Sequence, residues 1–175
     1  MKNVILIGFM GSGKTTTGEV LSRKLGIPVS DTDAMIEKRE NMSVNEIFDR
    51  YGENAFRDME TELLLSLQSD PRKRILSAGG GMPVREINRK LMKKLGTVIY
   101  LQADSQTLLE RLAGDTSRPK LKGGDLFSRI TSLMAQREAI YLSASSIRVR
   151  TDGKTPEEVA EEILSALETA SEISE

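Results

Sequence analysis

The segment that most constrains the fold is a glycine-rich stretch between a short apolar run and a helical pattern near the start of the chain. The apolar run VILIG at 4–8 is rich in β-branched residues, which is typical of a strand buried on both faces. The next stretch, GFMGSGKT at 8–15, matches G-x-x-x-x-G-K-[ST], and a helix is predicted from Lys14 to Gly26. A strand, a glycine loop and a helix in this order predict an α/β protein with a phosphate-binding loop (P-loop).

The chemistry of this loop follows from its backbone. Glycines let N–H groups converge on phosphate oxygens, and the helix N-terminus adds a favourable partial charge. Lys14 is predicted to reach the β- and γ-phosphates of a nucleoside triphosphate, and the Thr15 hydroxyl to bind Mg²⁺. The predicted nucleotide-binding residues of the loop are Gly11, Ser12, Gly13, Lys14, Thr15 and Thr16. The motif leaves the acceptor open, because ATPases, GTPases and small-molecule kinases share it.

The rest of the chain alternates strand-length apolar runs with helical patterns. This alternation predicts a parallel sheet covered on both faces, which is a three-layer α/β/α fold of the P-loop NTPase type. Further strands are predicted at 27–31, 74–78, 97–102 and 146–151, and helices at 43–48, 53–67, 84–95, 105–112, 125–143 and from Pro156 onward. Glycine, proline and charged residues at 114–124 predict a mobile loop.

Composition limits the chemistry available to the chain. The 175 residues include no cysteine and no histidine, so any general base must be a carboxylate, a lysine, a tyrosine or the substrate itself. The formal net charge of -1 argues against non-specific nucleic-acid binding. No apolar run approaches the ~20 residues that span a bilayer, and no signal peptide is predicted. We therefore expect a cytoplasmic monomer that binds neither nucleic acid nor membrane.

Two acids lie at the end of the predicted second strand, in VSDTDAMIE at 29–37. Asp31 and Asp33 lie at the carboxyl edge of a parallel sheet, where open α/β sheets bind ligands. Side chains at i and i+2 of an extended chain point the same way, so both acids are predicted to face the cleft beside the phosphate loop. One role is to hold Mg²⁺ directly or through water, and another is to orient and deprotonate an acceptor hydroxyl. The alternative is that Asp33 caps the following helix.

Two arginines lie on predicted helices. Arg57 is at the edge of an apolar stripe, with Glu53 four residues before it and Glu60 three after it, so both acids can hold its guanidinium in solvated pairs. Arg137 falls within the apolar rhythm of the helix at 125–143, where a charge should be paired or face a ligand pocket. Since arginine matches a carboxylate bidentately, Arg137 is predicted either to bind an acidic ligand or to form an internal salt bridge.

Two further segments suggest contact with a substrate. The triple glycine Gly79–Gly81 follows the strand at 74–78, and three glycines lose much backbone entropy on folding. They are predicted to bring N–H groups close to an acidic or hydroxylated substrate, with a flexible turn as the alternative. Arg118, in the predicted mobile loop, is either a solvated side chain or a lid residue that closes over the transferring phosphate. Together these features predict a small hydroxy acid as the acceptor.

These motifs, in this order, resemble the shikimate kinases, a group within the nucleoside-monophosphate-kinase-like P-loop family. The resemblance covers essentially the whole chain and combines the phosphate loop with D-x-D, G-E-x-x-F-R-x-x-E, a triple glycine and R-P. The matching stretches are GFMGSGKTT, DTDAMIE, IFDRYGENAFRDME, SAGGG, SRPKL and QREAIY. The resemblance implies one kinase domain over 1–175, with substrate-binding helices at about 32–67 and a lid at about 114–124.

The resemblance also implies an activity and a set of site residues. The activity is transfer of the γ-phosphate of ATP, with Mg²⁺, to the 3-hydroxyl of shikimate, in the route to chorismate and the aromatic amino acids. The residues that the resemblance places at the site are Asp33 as base and hydroxyl ligand, Lys14 and Arg118 as catalytic cations, Arg57, Gly79, Gly80, Gly81 and Arg137 around the substrate, Asp31 and Ser77 near Mg²⁺, and Arg111 and Pro156 beside adenine. A gluconate kinase-like enzyme and a non-catalytic nucleotide-binding module are the alternatives.

Overall fold

The computed structural model of the protein describes residues 2–113 and 125–172. The predicted lid at 114–124, with Arg118, lies outside the described residues. Within the described part of the chain, no helix is both long enough and apolar enough to cross a membrane.

A single sheet of parallel strands forms the centre of the protein. The strands are β1 (Asn3–Ile7), β2 (Val29–Asp31), β3 (Ile75–Ser77), β4 (Gly96–Gln102) and β5 (Ile147–Arg150). They lie in the order β2-β3-β1-β4-β5, and all four neighbouring pairs are parallel. All five predicted strands are confirmed, and β2, β3 and β5 are shorter than predicted.

Helices cover both faces of this sheet. They are α1 (Lys14–Leu25), α2 (Thr32–Glu40), α3 (Val44–Gln68), α4 (Glu86–Leu95), α5 (Ser105–Leu112), α6 (Leu126–Ala144) and α7 (Pro156–Glu172), with a short 3-10 helix at Met82–Val84. Alternate residues of β1 point into two separate cores. Ile5 and Ile7 pack with residues of α2 to α6, whereas Val4 and Leu6 pack with residues of α1 and α7. Each face of β1 is thus buried, which explains its continuous apolar sequence and confirms the three-layer architecture.

Local signals in the sequence set the ends of several helices. Gly26 ends α1 in the left-handed conformation, at φ 67. Ser43 and Glu46 form the predicted capping box at the start of α3. The two helices predicted at 43–48 and 53–67 are both present within α3, and they meet at a kink because Gly52 adopts the non-helical angles φ 82 and ψ 173. This backbone conformation is almost confined to glycine, so the kink is encoded by a single residue.

Candidate active site

A cavity of about 590 Å³ opens at the carboxyl ends of the strands, where the phosphate loop follows β1. Every predicted site residue in the described part of the chain lines it. These residues are Gly11, Ser12, Gly13, Lys14, Thr15, Thr16, Asp31, Asp33, Arg57, Ser77, Gly79, Gly80, Gly81, Arg111, Arg137 and Pro156. Segments far apart in the sequence therefore meet at one place, as the sequence predicts.

The phosphate loop has the backbone that its glycines allow. Gly11 and Gly13 adopt φ 79 and φ 91, in the region where a side chain is strained. The Lys14 ammonium donates hydrogen bonds of 3.0 Å to the carbonyl oxygens of Gly8 and Phe9. These contacts hold the lysine against the loop, at the mouth of the cavity.

Three side chains with oxygen atoms lie close together beside the phosphate loop. The Thr15 hydroxyl lies 3.4 Å from the Ser77 hydroxyl. Ser77 is also the register partner of Asp31 across β3 and β2, so a carboxylate and two hydroxyls share one edge of the sheet. Hard oxygen ligands of this kind suit Mg²⁺. The donor set therefore fits the metal that the sequence predicts at this position.

The two acids, one at the end of β2 and one at the start of α2, differ from the prediction in backbone conformation. The chain becomes helical at Thr32, so Asp31 and Asp33 are not two residues apart on an extended segment. Asp31 is the N-cap of α2, where its Oδ1 accepts a hydrogen bond of 3.1 Å from the Ala34 N–H. Asp33 lies in the first turn of α2, so the alternative that Asp33 is the cap is wrong. Both acids nevertheless line the cavity.

Arg57 is buried instead of solvated. It is 6% exposed and Glu60 is 0% exposed, so the predicted pairing is correct but the predicted surface environment is wrong. Arg57 donates to Glu60 Oε2 at 2.7 Å and to Glu53 Oε1 at 3.1 Å. Burial lowers the pKa of Arg57, but the Glu60 and Glu53 carboxylates outweigh that effect and leave the pKa raised. Arg57 is thus a fixed positive charge in the wall of the cavity.

Glu60 is a strongly perturbed acid in the wall of the cavity. Burial raises its pKa to about 7, and the charge and hydrogen bond of Arg57 offset only part of that effect. The negative charge of Asp33 also raises the pKa of Glu60. Glu60 Oε1 is buried and has no hydrogen-bond partner among the described residues, so the carboxylate is poorly solvated.

The triple glycine packs against the charged side chains of the site. A Cβ built on Gly79 collides with the Asp33 carboxylate, and one built on Gly81 collides with the Arg57 guanidinium. Neither glycine has a positive φ, so space and not backbone conformation requires glycine at both positions. The Gly79 N–H donates to the Thr32 hydroxyl at 2.9 Å, which corrects the prediction that this N–H group faces the substrate.

Arg137 is buried on α6, at 5% exposure. Its Nη1 lies 3.5 Å from a Cβ built on Gly80, so the guanidinium lies against the glycine run. Among the residues that the structure describes, no acid forms an ion pair with Arg137. The geometry therefore favours the ligand-facing prediction over the internal salt bridge.

Arg111 and Pro156 both line the cavity, and Arg111 contacts the phosphate loop. Arg111 Nη1 donates to the Gly11 carbonyl at 3.1 Å and to the Thr151 hydroxyl at 3.2 Å. Its Nη2 donates to the Thr151 carbonyl at 3.2 Å. These bonds tie α5 to the phosphate loop and to the segment after β5, which leads to Pro156 at the start of α7.

Several lining residues were not predicted as site residues. They are Met10, Thr17, Val44, Phe48, Phe56, Glu60, Ala78, Thr151, Lys154 and Val159. Phe48 and Phe56 contact each other across the Gly52 kink, with ring centroids 5.2 Å apart. The apolar spacing around Phe56 indicates one buried face of a helix, and it does not reveal that Phe48 and Phe56 also line the cavity.

The fold and the phosphate loop define a P-loop nucleotide-binding protein, and the acids and buried arginines beside the loop suit a phosphotransferase. The chain belongs to the shikimate kinase family, whose family model matches residues 10–168. Members of this family are ATP-dependent kinases.

Individual proteins agree with this assignment. The shikimate kinase of Geobacter sulfurreducens is 44% identical over 162 residues, which cover 93% of this chain and 88% of the relative. The structure of a shikimate kinase from Acinetobacter baumannii in complex with shikimate has a TM-score of 0.92 at 30% identity, covering 97% of this chain and 94% of that one. A gluconokinase from Sinorhizobium meliloti has a TM-score of 0.58 at 16% identity, so it shares the fold alone.

Proposed function

We propose that this protein transfers the γ-phosphate of ATP to the 3-hydroxyl of shikimate, giving shikimate 3-phosphate and ADP. Its family membership supports this reaction. The observation that carries the proposal is the single cavity in which the phosphate loop, Asp33 and two buried arginines meet. One end of that cavity suits a nucleotide, and the other suits an acid with hydroxyl groups.

The nucleotide end of the cavity is formed by the phosphate loop together with Arg111 and Pro156. Gly11, Ser12, Gly13, Lys14, Thr15 and Thr16 bind the phosphates in this proposal, and Arg111 and Pro156 flank adenine. Mg²⁺ is held by Thr15, with Asp31 bound through water and Ser77 close by, as their oxygen donors allow. When bound, Mg²⁺ neutralises charge on the β- and γ-phosphates.

The acceptor end binds an anion and a hydroxyl. Arg57 and Arg137 pair with the shikimate carboxylate, and the backbone of Gly79, Gly80 and Gly81 lies against the substrate. Asp33 contacts the hydroxyls. Because the chain has no histidine, the base must be another group, and a carboxylate at the start of α2 is well placed.

The chemical step is an in-line displacement. The 3-hydroxyl oxygen forms a bond to the γ-phosphorus, the bond from that phosphorus to the ADP oxygen breaks, and Asp33 takes the hydroxyl proton. Positioning and electrostatic stabilisation supply most of the catalysis. Lys14 and Arg118 stabilise the developing charge in this proposal, Arg118 from the predicted lid.

The proposal also covers the domain organisation, the oligomeric state and the cellular location of the protein. The chain forms one kinase domain over 1–175, in which α2 and α3 carry the substrate-binding residues Asp33 and Arg57 and 114–124 closes over the site. It acts as a monomer in the cytoplasm.

The decisive experiment compares acceptors. ADP release is measured with ATP and Mg²⁺ in the presence of shikimate, of gluconate, or of neither. ADP release that depends on shikimate supports the proposal, and release that depends on gluconate points to the gluconate kinase-like alternative. ADP release that is independent of both acids, or no turnover at all, contradicts the substrate assignment, and the second result is expected of a non-catalytic module.

A further inference from the structure

Tyr141 lies behind the substrate end of the cavity without lining it. It is on α6, four residues after Arg137, and is 1% exposed. Its hydroxyl donates a hydrogen bond of 2.6 Å to the Gly80 carbonyl. A Cβ built on Gly80 would lie 3.6 Å from this hydroxyl and 3.5 Å from Arg137 Nη1, so the three groups meet at one point.

The chemistry of a hydroxyl suits this position. A carbonyl only accepts hydrogen bonds and a guanidinium only donates them, whereas a phenol does both. The Tyr141 hydroxyl can therefore donate to Gly80 and accept from Arg137 at the same time. Burial raises the pKa of Tyr141, and the nearby positive charge of Arg137 offsets only part of that effect. The phenol thus keeps its proton at neutral pH and remains a donor to Gly80.

The ring and the hydroxyl of Tyr141 have separate tasks. The ring packs in the core against Tyr100, with centroids 5.2 Å apart and planes tilted by 39°. Ring packing explains why position 141 is aromatic, but phenylalanine would pack equally well. The hydroxyl is the part that packing leaves unexplained, and it reaches two groups proposed to contact the substrate.

We infer that the Tyr141 hydroxyl is a positioning group, which fixes Gly80 and Arg137 relative to each other so that they receive the carboxylate end of the substrate. The inference rests on the proposed function for the identity of that substrate. Tyr141 touches no reacting atom and acts through the loop backbone and the arginine. Its loss should therefore affect the substrate end of the cavity and spare the nucleotide end.

The test is Tyr141→Phe, with Tyr100→Phe as the matched control. Tyr100 is 2% exposed and contacts the same ring, and its hydroxyl forms no hydrogen bond to another residue in the described ranges. Loss of one hydrogen bond predicts that Tyr141→Phe raises the KM for shikimate about 3- to 10-fold, with the KM for ATP unchanged. Tyr100→Phe should leave both constants at their wild-type values. Equal changes in both KM values, or no change in either, would overturn the inference.

A second measurement does not depend on turnover. Amide hydrogen exchange in residues 79–84 should be faster in Tyr141→Phe than in the wild type, because the Gly80 carbonyl loses its partner on α6. The same amides should exchange at the wild-type rate in Tyr100→Phe. If the wild type fails to phosphorylate shikimate, the proposed function fails, while this exchange still decides whether the hydroxyl fixes the loop. Unchanged exchange in Tyr141→Phe would refute the positioning role.

Discussion

Replacement of Glu60 by glutamine is predicted to change how the free energy of unfolding depends on pH. The pKa of Glu60 rises from an ordinary 4.5 to about 7 in the folded protein, chiefly through burial. Between these values the folded state keeps a proton that the unfolded state has lost. Stability therefore falls as the pH rises through this range, and the full difference corresponds to about 3 kcal/mol. Glutamine mimics the protonated side chain and should remove this component.

The composition of the chain makes this effect measurable. With no histidine and no cysteine, the side chains that usually titrate near neutrality are missing, so the signal from Glu60 has little overlap. Urea unfolding at several pH values between 5 and 8 gives the free energy of unfolding of the wild type and of Glu60→Gln. Relative to the variant, the wild type should lose about 2.5 kcal/mol across this range, because part of the full difference is already lost below pH 5.

A control separates burial from the substitution itself. Glu62→Gln makes the same change on the same helix, at a side chain that is 58% exposed and pairs with Arg39. Its free energy of unfolding should run parallel to that of the wild type from pH 5 to 8. If Glu60→Gln also runs parallel to the wild type, the buried carboxyl does not take up a proton on folding and the reasoning is wrong.

Three other substitutions test the site and its support. Asp33→Asn should leave ATP binding unchanged and lower kcat at least about 100-fold, because asparagine keeps a polar contact but cannot act as the proposed base. Near-normal turnover in a coupled ADP assay would contradict the role of Asp33 as base. Gly52→Ala should lower the free energy of unfolding by about 1–3 kcal/mol through backbone strain alone, since no atom lies within 4 Å of the added Cβ. A loss no larger than that of Gly153→Ala, at φ 68 and also in open space, would argue against special strain at the kink. Asn88→Ala should lower the free energy of unfolding in urea by about 1–3 kcal/mol. The buried side-chain amide of Asn88 donates to the Met82 carbonyl at 2.9 Å and accepts from the Thr61 hydroxyl at 2.7 Å. A negligible loss would show that these hydrogen bonds are dispensable.

The parts of the fold that the sequence predicts well are those encoded by neighbouring residues. The phosphate loop, the Gly26 helix end and the Ser43 capping box each depend on a few consecutive side chains and backbone angles, so local rules suffice. The position of β1 was also predictable from its own residues, because a strand buried on both faces has an unbroken apolar sequence.

Other features depend on contacts between distant segments. The periodicity around Arg57 indicates an exposed edge, and its burial arises because the triple glycine packs over it. The glycines themselves suggest exposed N–H groups, whereas Gly79 is bonded to Thr32. The assignment of Asp33 to an extended segment failed because the chain turns helical immediately after β2. No local pattern contains this information, since each outcome is decided by a segment more than twenty residues away or by the exact end of a strand.

The packing of the glycine run also restricts how this sequence can evolve. A side chain at position 79 needs the space that the Asp33 carboxylate occupies, and one at position 81 needs that of the Arg57 guanidinium. Position 79 can therefore change only together with position 33, and position 81 only together with position 57. The first substitution in either pair disturbs a charged group of the site. Divergence towards other acceptors is expected to begin at lining residues such as Val44 and Phe48 rather than at Phe56, whose ring lies 5.6 Å below the Arg57 guanidinium.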